Sequence, residues 1–160
     1  MERIGVFPGS FDPFTKGHED IVRRFLPQFD KVIIGLGVNT KKQYMYDTAS
    51  RIAHIESIFK GESKVSVESF QGLTVNFCQE KKARYLLRGL RNATDFEFEK
   101  AIAQMNEAVS NEQNYPIETL FLMTDKQLSA ISSSIVREIK KNNGNITQFV
   151  TNESLLIINT

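Results

Sequence analysis

The sequence predicts an α/β fold: a doubly wound, five-stranded parallel sheet with helices on both faces, in a single domain. Three observations lead there. Short apolar or β-branched runs bounded by breakers recur along the chain, and a stretch with helical periodicity follows each of them. At 160 residues the chain has the size of one domain, enough to bury roughly 68–70% of its unfolded surface around one core. A strand followed by a helix, five times over, favours right-handed crossovers that place helices on both sides of a parallel sheet.

The first strand is "RIGVF" (3–7), and the helix after it presents Ile21, Val22, Phe25 and Leu26 on one face. "KVIIGLGV" (31–38) is the second strand, followed by a helix whose apolar face carries Ile52, Ile55, Ile58 and Phe59. His54 is read on the polar, exposed side of that helix. "KVSVESF" (64–70) with the short helix "TVNFCQEK" makes the third unit, and "YLLRG" (85–89) with "DFEFEKAIAQMNEAV" the fourth. In that last helix Phe98, Ala101, Met105 and Ala108 form a core-like stripe beside a mixed one of Glu99, Ile102 and Asn106. "ETLFLM" (118–123) and "SSIVREIKK" complete the pattern, with Ser132 or Ser133 placed to cap the final helix. Residues 111–116 and 141–145 read as loops, and "ITQFVTNESLLIINT" as a helical tail packed on the body or on a neighbouring subunit, so that 1–160 is one domain with a C-terminal helical tail.

Composition narrows the function classes. Hydrophobic residues at 41% and charged ones at 24% are those of an ordinary globular protein. Twenty Lys plus Arg against nineteen Asp plus Glu leave a net charge of +1, so no global field favours nucleic acid, and any bound anion must be held locally. The single cysteine, Cys78, excludes a disulfide framework, is read as a buried apolar residue, and suits a reducing cytoplasm. "VIIGLGV" is far too short to span a membrane, and "MERIGVFPGS" lacks the apolar core of a signal peptide. No His, Cys and Asp cluster has the spacing of a structural metal cage.

The segment richest in chemistry is "GSFDPFTKGH" (9–18), at the carboxyl end of the first strand, where parallel sheets bind ligands. Its glycines match neither the GxxxxGK[ST] loop nor GxGxxG, so phosphates here must be held differently. A helix beginning near Gly17 offers free N–H groups and the positive end of its dipole. His18 stands in its first turn, three and four residues before Ile21 and Val22, hence on the buried side. The dipole disfavours protonation, so a neutral imidazole donating one N–H is expected. The pattern alone leaves open a core histidine satisfied by a backbone carbonyl.

"TKGH" (15–18) matches the T/H-x-G-H signature of the nucleotidyltransferase superfamily, and "ISSSIVRE" (131–138) resembles its ISS[TS]xx[RK] element. With "GSFDPFTKGH", "FDKVI", "LRGLRNATDFEFE" and "QMN", the chain resembles the bacterial phosphopantetheine adenylyltransferases from Arg3 to about Phe149. The resemblance implies a Rossmann-like sheet, direct adenylyl transfer from ATP to 4′-phosphopantetheine without a covalent intermediate, Mg²⁺ carried on the nucleotide, and a homohexamer in the cytoplasm, with no nucleic-acid or membrane partner. It assigns His18, Lys42, Arg91 and Ser10 to catalysis. Ser10, Phe11, His18, Gly89, Leu90, Arg91, Glu99 and the run Leu128, Ser129, Ala130, Ile131, Ser132, Ser133 and Ser134 fall to ATP. Ser10, Lys42, Thr74, Arg88, Ile102 and Asn106 fall to phosphopantetheine. Gly89 is expected to permit a tight turn between the two arginines of "RGLR". The sequence departs from the commonest family pattern at Ser10, Thr74, Asn76, Phe98, Leu128 and Ala130, which bears most on the pantetheine pocket and on the adenine side. Competing readings are a relative acting on nicotinamide mononucleotide or glycerol phosphate, a silent nucleotide sensor, and an RNA-binding fragment; the "RGLR…DFEFE" block, the intact cations and the neutral charge weigh against them in turn.

Overall fold

A computed structural model describes residues 2–159. Five parallel strands run in the order β3-β2-β1-β4-β5: β1 (Ile4–Gly9), β2 (Lys31–Gly37), β3 (Val65–Phe70), β4 (Tyr85–Leu90) and β5 (Glu118–Met123). The five expected strands are all present. Between them lie α1 (Lys16–Phe25), α2 (Thr48–Ile58), α3 (Thr74–Glu80) and α4 (Ala93–Glu112), and α5 (Ser133–Lys141) follows β5.

Alternation along the central strands feeds two cores. Phe7, Val32, Ile34, Leu36 and Leu87 face α1 and α2, where Ile21, Val22, Phe25, Ile55 and Ile58 meet them. Val6, Ile33 and Leu86 point to the other side, against Val75, Phe77 and Cys78 of α3. Burial on both faces is what near-continuous apolar strands require. β1 pairs with β2 on one side and β4 on the other, so the strand order reverses there and a crevice opens at the carboxyl ends of β1 and β4. Gly89 lies within β4 rather than in a turn; a Cβ there would come within 2.9 Å of Ile21 Cγ1, so its role is to let α1 approach the sheet.

Three further expectations are corrected. The C-terminal segment is not a helix: beyond α5 it forms turns, one 3₁₀ turn at Glu153–Leu155 and a bridge from Ile158 to Tyr46. Its backbone groups are satisfied by the body instead, with the Asp47 N–H on Ile157 O at 3.0 Å and the Asn159 N–H on Met45 O at 2.8 Å. His54 is fully buried rather than exposed, because this same segment covers its face of α2, and its Nε2 donates to Thr151 O at 2.6 Å. In α4 the stripe of Phe98, Ala101, Met105 and Ala108 faces solvent, with Phe98 68% and Met105 67% exposed, while the mixed stripe turns toward the sheet. No described helix is long and apolar enough to cross a membrane.

Candidate active site

A cavity of about 380 Å³ occupies the crevice, walled by the turn after β1, the first turn of α1, the end of β4 and the start of α5. A second, of about 260 Å³, runs from it between β1, β4 and α4. Pro8, Gly9, Ser10, Arg88 and Glu99 line both, so two ligands occupying the two cavities would meet at Ser10 and Arg88.

His18 is fixed by the local sequence. Thr15 caps α1 with its side chain on the His18 N–H, and the Thr15 N–H donates to His18 Nδ1 at 3.0 Å. A ring nitrogen that accepts carries no proton, so the proton of the neutral ring resides on Nε2. Phe11 and Phe14 pack against the imidazole with centroids at 5.2 and 5.3 Å. Burial, together with the charges of Arg88 and Arg91, pushes its pKa from 6.5 down to about 4. The ring is therefore neutral at pH 7 and presents one donor to the cavity it lines.

The cations are pre-oriented by carboxylates. Arg88 donates from Nε to Glu99 Oε2 at 2.6 Å and from Nη1 to Pro8 O at 2.6 Å, and its Nη2 bonds Glu99 Oε1. Arg91 forks onto Asp95 at 2.9 and 3.1 Å, which holds the Asp95 carboxyl below the usual carboxylate range. Lys42 projects from an exposed loop, with Nζ 5.5 Å from the Tyr44 ring, and lines the main cavity. Opposite them, Ser132 caps α5 by accepting the Ile135 N–H, and Ser133 Oγ donates to Pro13 O at 2.8 Å. This places Ile131, Ser132, Ser133 and Ser134 on the cavity wall at a helix N-terminus, where N–H groups suit an anion.

Of the residues expected from the sequence, Phe11, His18, Lys42, Gly89, Arg91 and 131–134 converge on the main cavity, Thr74, Ile102 and Asn106 on the second, and Ser10, Arg88 and Glu99 on both. Leu90, Leu128, Ser129 and Ala130 line neither. Leu90 is buried, with its carbonyl taking the Thr124 N–H, and Ser129 Oγ turns back onto Lys126 O. Asn76 is tied to Gln113 on the surface.

Sequence reasoning did not single out Asp12, Thr15, Arg51 or Arg137. Asp12 is buried and its carboxylate accepts the N–H groups of Met45 and Tyr46 at 2.8 and 2.9 Å; Arg137 Nη1 donates to Asp12 O at 2.8 Å. Arg137 was within reach, as the basic residue of "ISSSIVRE". Arg51 gave no signal, because an arginine on an amphipathic helix reads as solvated.

The cytidylyltransferase-like family model matches residues 6–139. A phosphopantetheine adenylyltransferase of Flavobacterium johnsoniae is 49% identical over 148 residues, 92% of this chain and 94% of that one. One from Cytophaga hutchinsonii is 49% identical over 94% of this chain and 97% of its own, and one from Clostridium perfringens 42% identical over 94% and 90%. The fold is shared with the crystal structure of a protein from Vibrio parahaemolyticus described as a nicotinate-nucleotide adenylyltransferase, at a TM-score of 0.71 and 18% identity over 97% of this chain and 91% of that one. Sheet order, paired signatures and near-full-length likeness agree: the chain belongs to the phosphopantetheine adenylyltransferases, a family of nucleotidyltransferases with the cytidylyltransferase-like fold.

Proposed function

We propose that the chain transfers the adenylyl group of ATP to 4′-phosphopantetheine, giving dephospho-coenzyme A and pyrophosphate reversibly. The observation that carries this reading is the meeting of two cavities at Ser10 and Arg88, beside a neutral His18 flanked by arginines. ATP takes the main cavity and the pantetheine arm the second. An oxygen of the substrate phosphate forms a bond to the α-phosphorus while the bond to the bridging oxygen breaks, and pyrophosphate leaves with the electron pair. Such a transfer needs chiefly alignment and charge stabilisation.

Within it, His18 Nε2–H donates to the α-phosphate as charge builds. Ser10, Lys42 and Arg88 hold the attacking phosphate, Lys42 reaching across to the transferred group. Arg91, Gly89, Phe11 and the N-terminus of α5 border the nucleotide. Thr74, Ile102 and Asn106 wall the pantetheine arm. Mg²⁺ enters on the nucleotide, whose phosphate oxygens are its natural ligands. The carboxylates lining the cavities are already engaged by Arg88, Arg91 and the Met45 and Tyr46 N–H groups, which supports a cation carried by substrate. The exposed stripe of Phe98 and Met105 on α4 supports self-association, which we assign to a homohexamer in the cytoplasm.

The test is release of pyrophosphate from ATP, with dephospho-coenzyme A identified by mass, on adding phosphopantetheine. Absence of both products at millimolar substrates overturns the reading. Light scattering reads the assembly: a particle of six chains is expected, and a monomer at working concentration would refute it.

A further inference from the structure

Within that proposed reaction, we infer that Arg51 is a positioning residue: a buried cation on α2 that fixes the Ser10–Phe11 turn and the Lys42 loop relative to one another. Arg51 is completely buried. Its Nη1 donates to Ser10 O at 2.5 Å, its Nη2 to Thr48 Oγ1 at 3.1 Å, and its guanidinium lies 4.2 Å from the centroid of the Tyr44 ring. Tyr44 in turn closes the loop that carries Lys42, because its hydroxyl accepts the Asn39 N–H at 2.9 Å and reaches Gly37 O at 3.4 Å. One planar group therefore touches both Ser10, where the two cavities meet, and the ring that closes the loop bringing Lys42 to the main one.

Three features argue that this is more than packing. A buried cation is costly and is usually matched by a carboxylate, yet Arg51 forms no ion pair among the described residues; the more distant Asp12 and Asp47 and the adjacent Tyr44 offset it. An apolar side chain of similar length would fill the space at lower cost. Secondly, what it grips is the backbone of the site: drawing Ser10 O toward α2 turns the N–H of the same trans peptide, that of Phe11, the opposite way, and that N–H has no acceptor among the described residues. Phe11 holds a left-handed φ of 47°, unusual for a bulky residue, so the turn needs an external hold to keep it. Thirdly, Asp12 accepts the Met45 and Tyr46 N–H groups, so the turn and the lysine loop are joined by a second set of contacts besides those of Arg51.

The experiment compares wild type with Arg51→Met and Arg51→Lys in the pyrophosphate-release assay, alongside melting curves and a count of active sites. Arg51→Met is expected to lower kcat by ~10- to 100-fold, the scale of a small misplacement of aligned groups. KM for either substrate should change by less than about threefold, and Arg51→Lys, which can still donate to Ser10 O, should recover much of the loss. An unchanged kcat per active site, or a rise in KM alone, overturns the inference. If Arg51→Met does not fold, Tyr44→Leu replaces it: the ring that links Arg51 to the lysine loop is removed, and kcat should fall ~10-fold with little change in melting temperature. Full activity in that variant overturns the inference equally. A wild-type enzyme that releases no pyrophosphate instead overturns the underlying reading of function.

Discussion

The chain's two histidines stand on adjacent helices of one layer, and each is held in a neutral form, yet their surroundings differ. Around His18, phenylalanines withdraw the ring from water on one side while the other side lines a cavity with arginines at its edge. His54 has Thr151 O against Nε2, no partner for Nδ1 among the described residues, and the C-terminal segment over it. Both are shifted downward by burial before anything else. A lowered pKa therefore does not separate a working imidazole from a structural one. What separates them is where the remaining N–H points: His18 spends its acceptor on the Thr15 N–H and keeps its donor for the cavity, whereas His54 spends its donor on the protein.

The largest effect is expected where that difference is erased. His18→Ala should lower turnover at least ~100-fold, the consequence of losing a preorganised donor worth about 2.7–4 kcal/mol of barrier, while ATP binding by calorimetry stays close to wild type. Parallel loss of binding and turnover would make the two histidines alike and defeat the comparison. The converse variant, His54→Ala, should cost about 2–4 kcal/mol of stability in denaturant unfolding through a cavity and an orphaned Thr151 carbonyl, with kcat per folded molecule unchanged.

Titration sharpens the contrast further. Both rings have folded-state pKa values below the unfolded 6.5, so as pH falls below 6.5 the unfolded chain binds protons that the folded chain refuses, for His18 down to about pH 4 and for His54 in the same direction. Their contribution to stability is full above pH 6.5 and is lost as pH falls through that window. The acid limb of kcat/KM, corrected for ionisation of the substrate phosphates, should follow His18 and lie near pH 4. An acid limb near 6.5, unmoved in a series of buffers, would mean a solvated ring. The smallest effect is expected at the opposite wall: Ser132→Ala removes the cap of α5 and should cost about 1 kcal/mol in stability, with a modest rise in KM for ATP.

The sheet was legible because both faces of each central strand are buried, which writes them as unbroken apolar runs. The active-site cluster was legible for a different reason: "GSFDPFTKGH" stands at the carboxyl end of the first strand, and the spacing from His18 to Ile21 and Val22 puts the ring on the inner side of the helix; the Thr15 cap that fixes it came only with the structure. Other features obey no local rule. The α4 stripe has the spacing of a core face, and only the placement of α4 at the sheet's edge decided that Glu99, Ile102 and Asn106 would face the second cavity instead. His54 and Arg51 alternate with apolar residues in "ASRIAHIES" as the outer face of an amphipathic helix would, and nothing in that stretch announces their burial.

By itself, then, the order of residues determined the five strand–helix units, the side on which ligands gather, and the place of His18 in the first turn of α1, because these follow from periodicity and from bonds between residues three or four apart; its neutral state needed burial and the distant Arg88 and Arg91. Tertiary structure alone decided which polar side chains are sealed, where the C-terminal segment lies, and that Arg51 grips the turn forty-one residues before it. Those outcomes depend on contacts between segments distant in sequence, whose partners no short window of the chain contains.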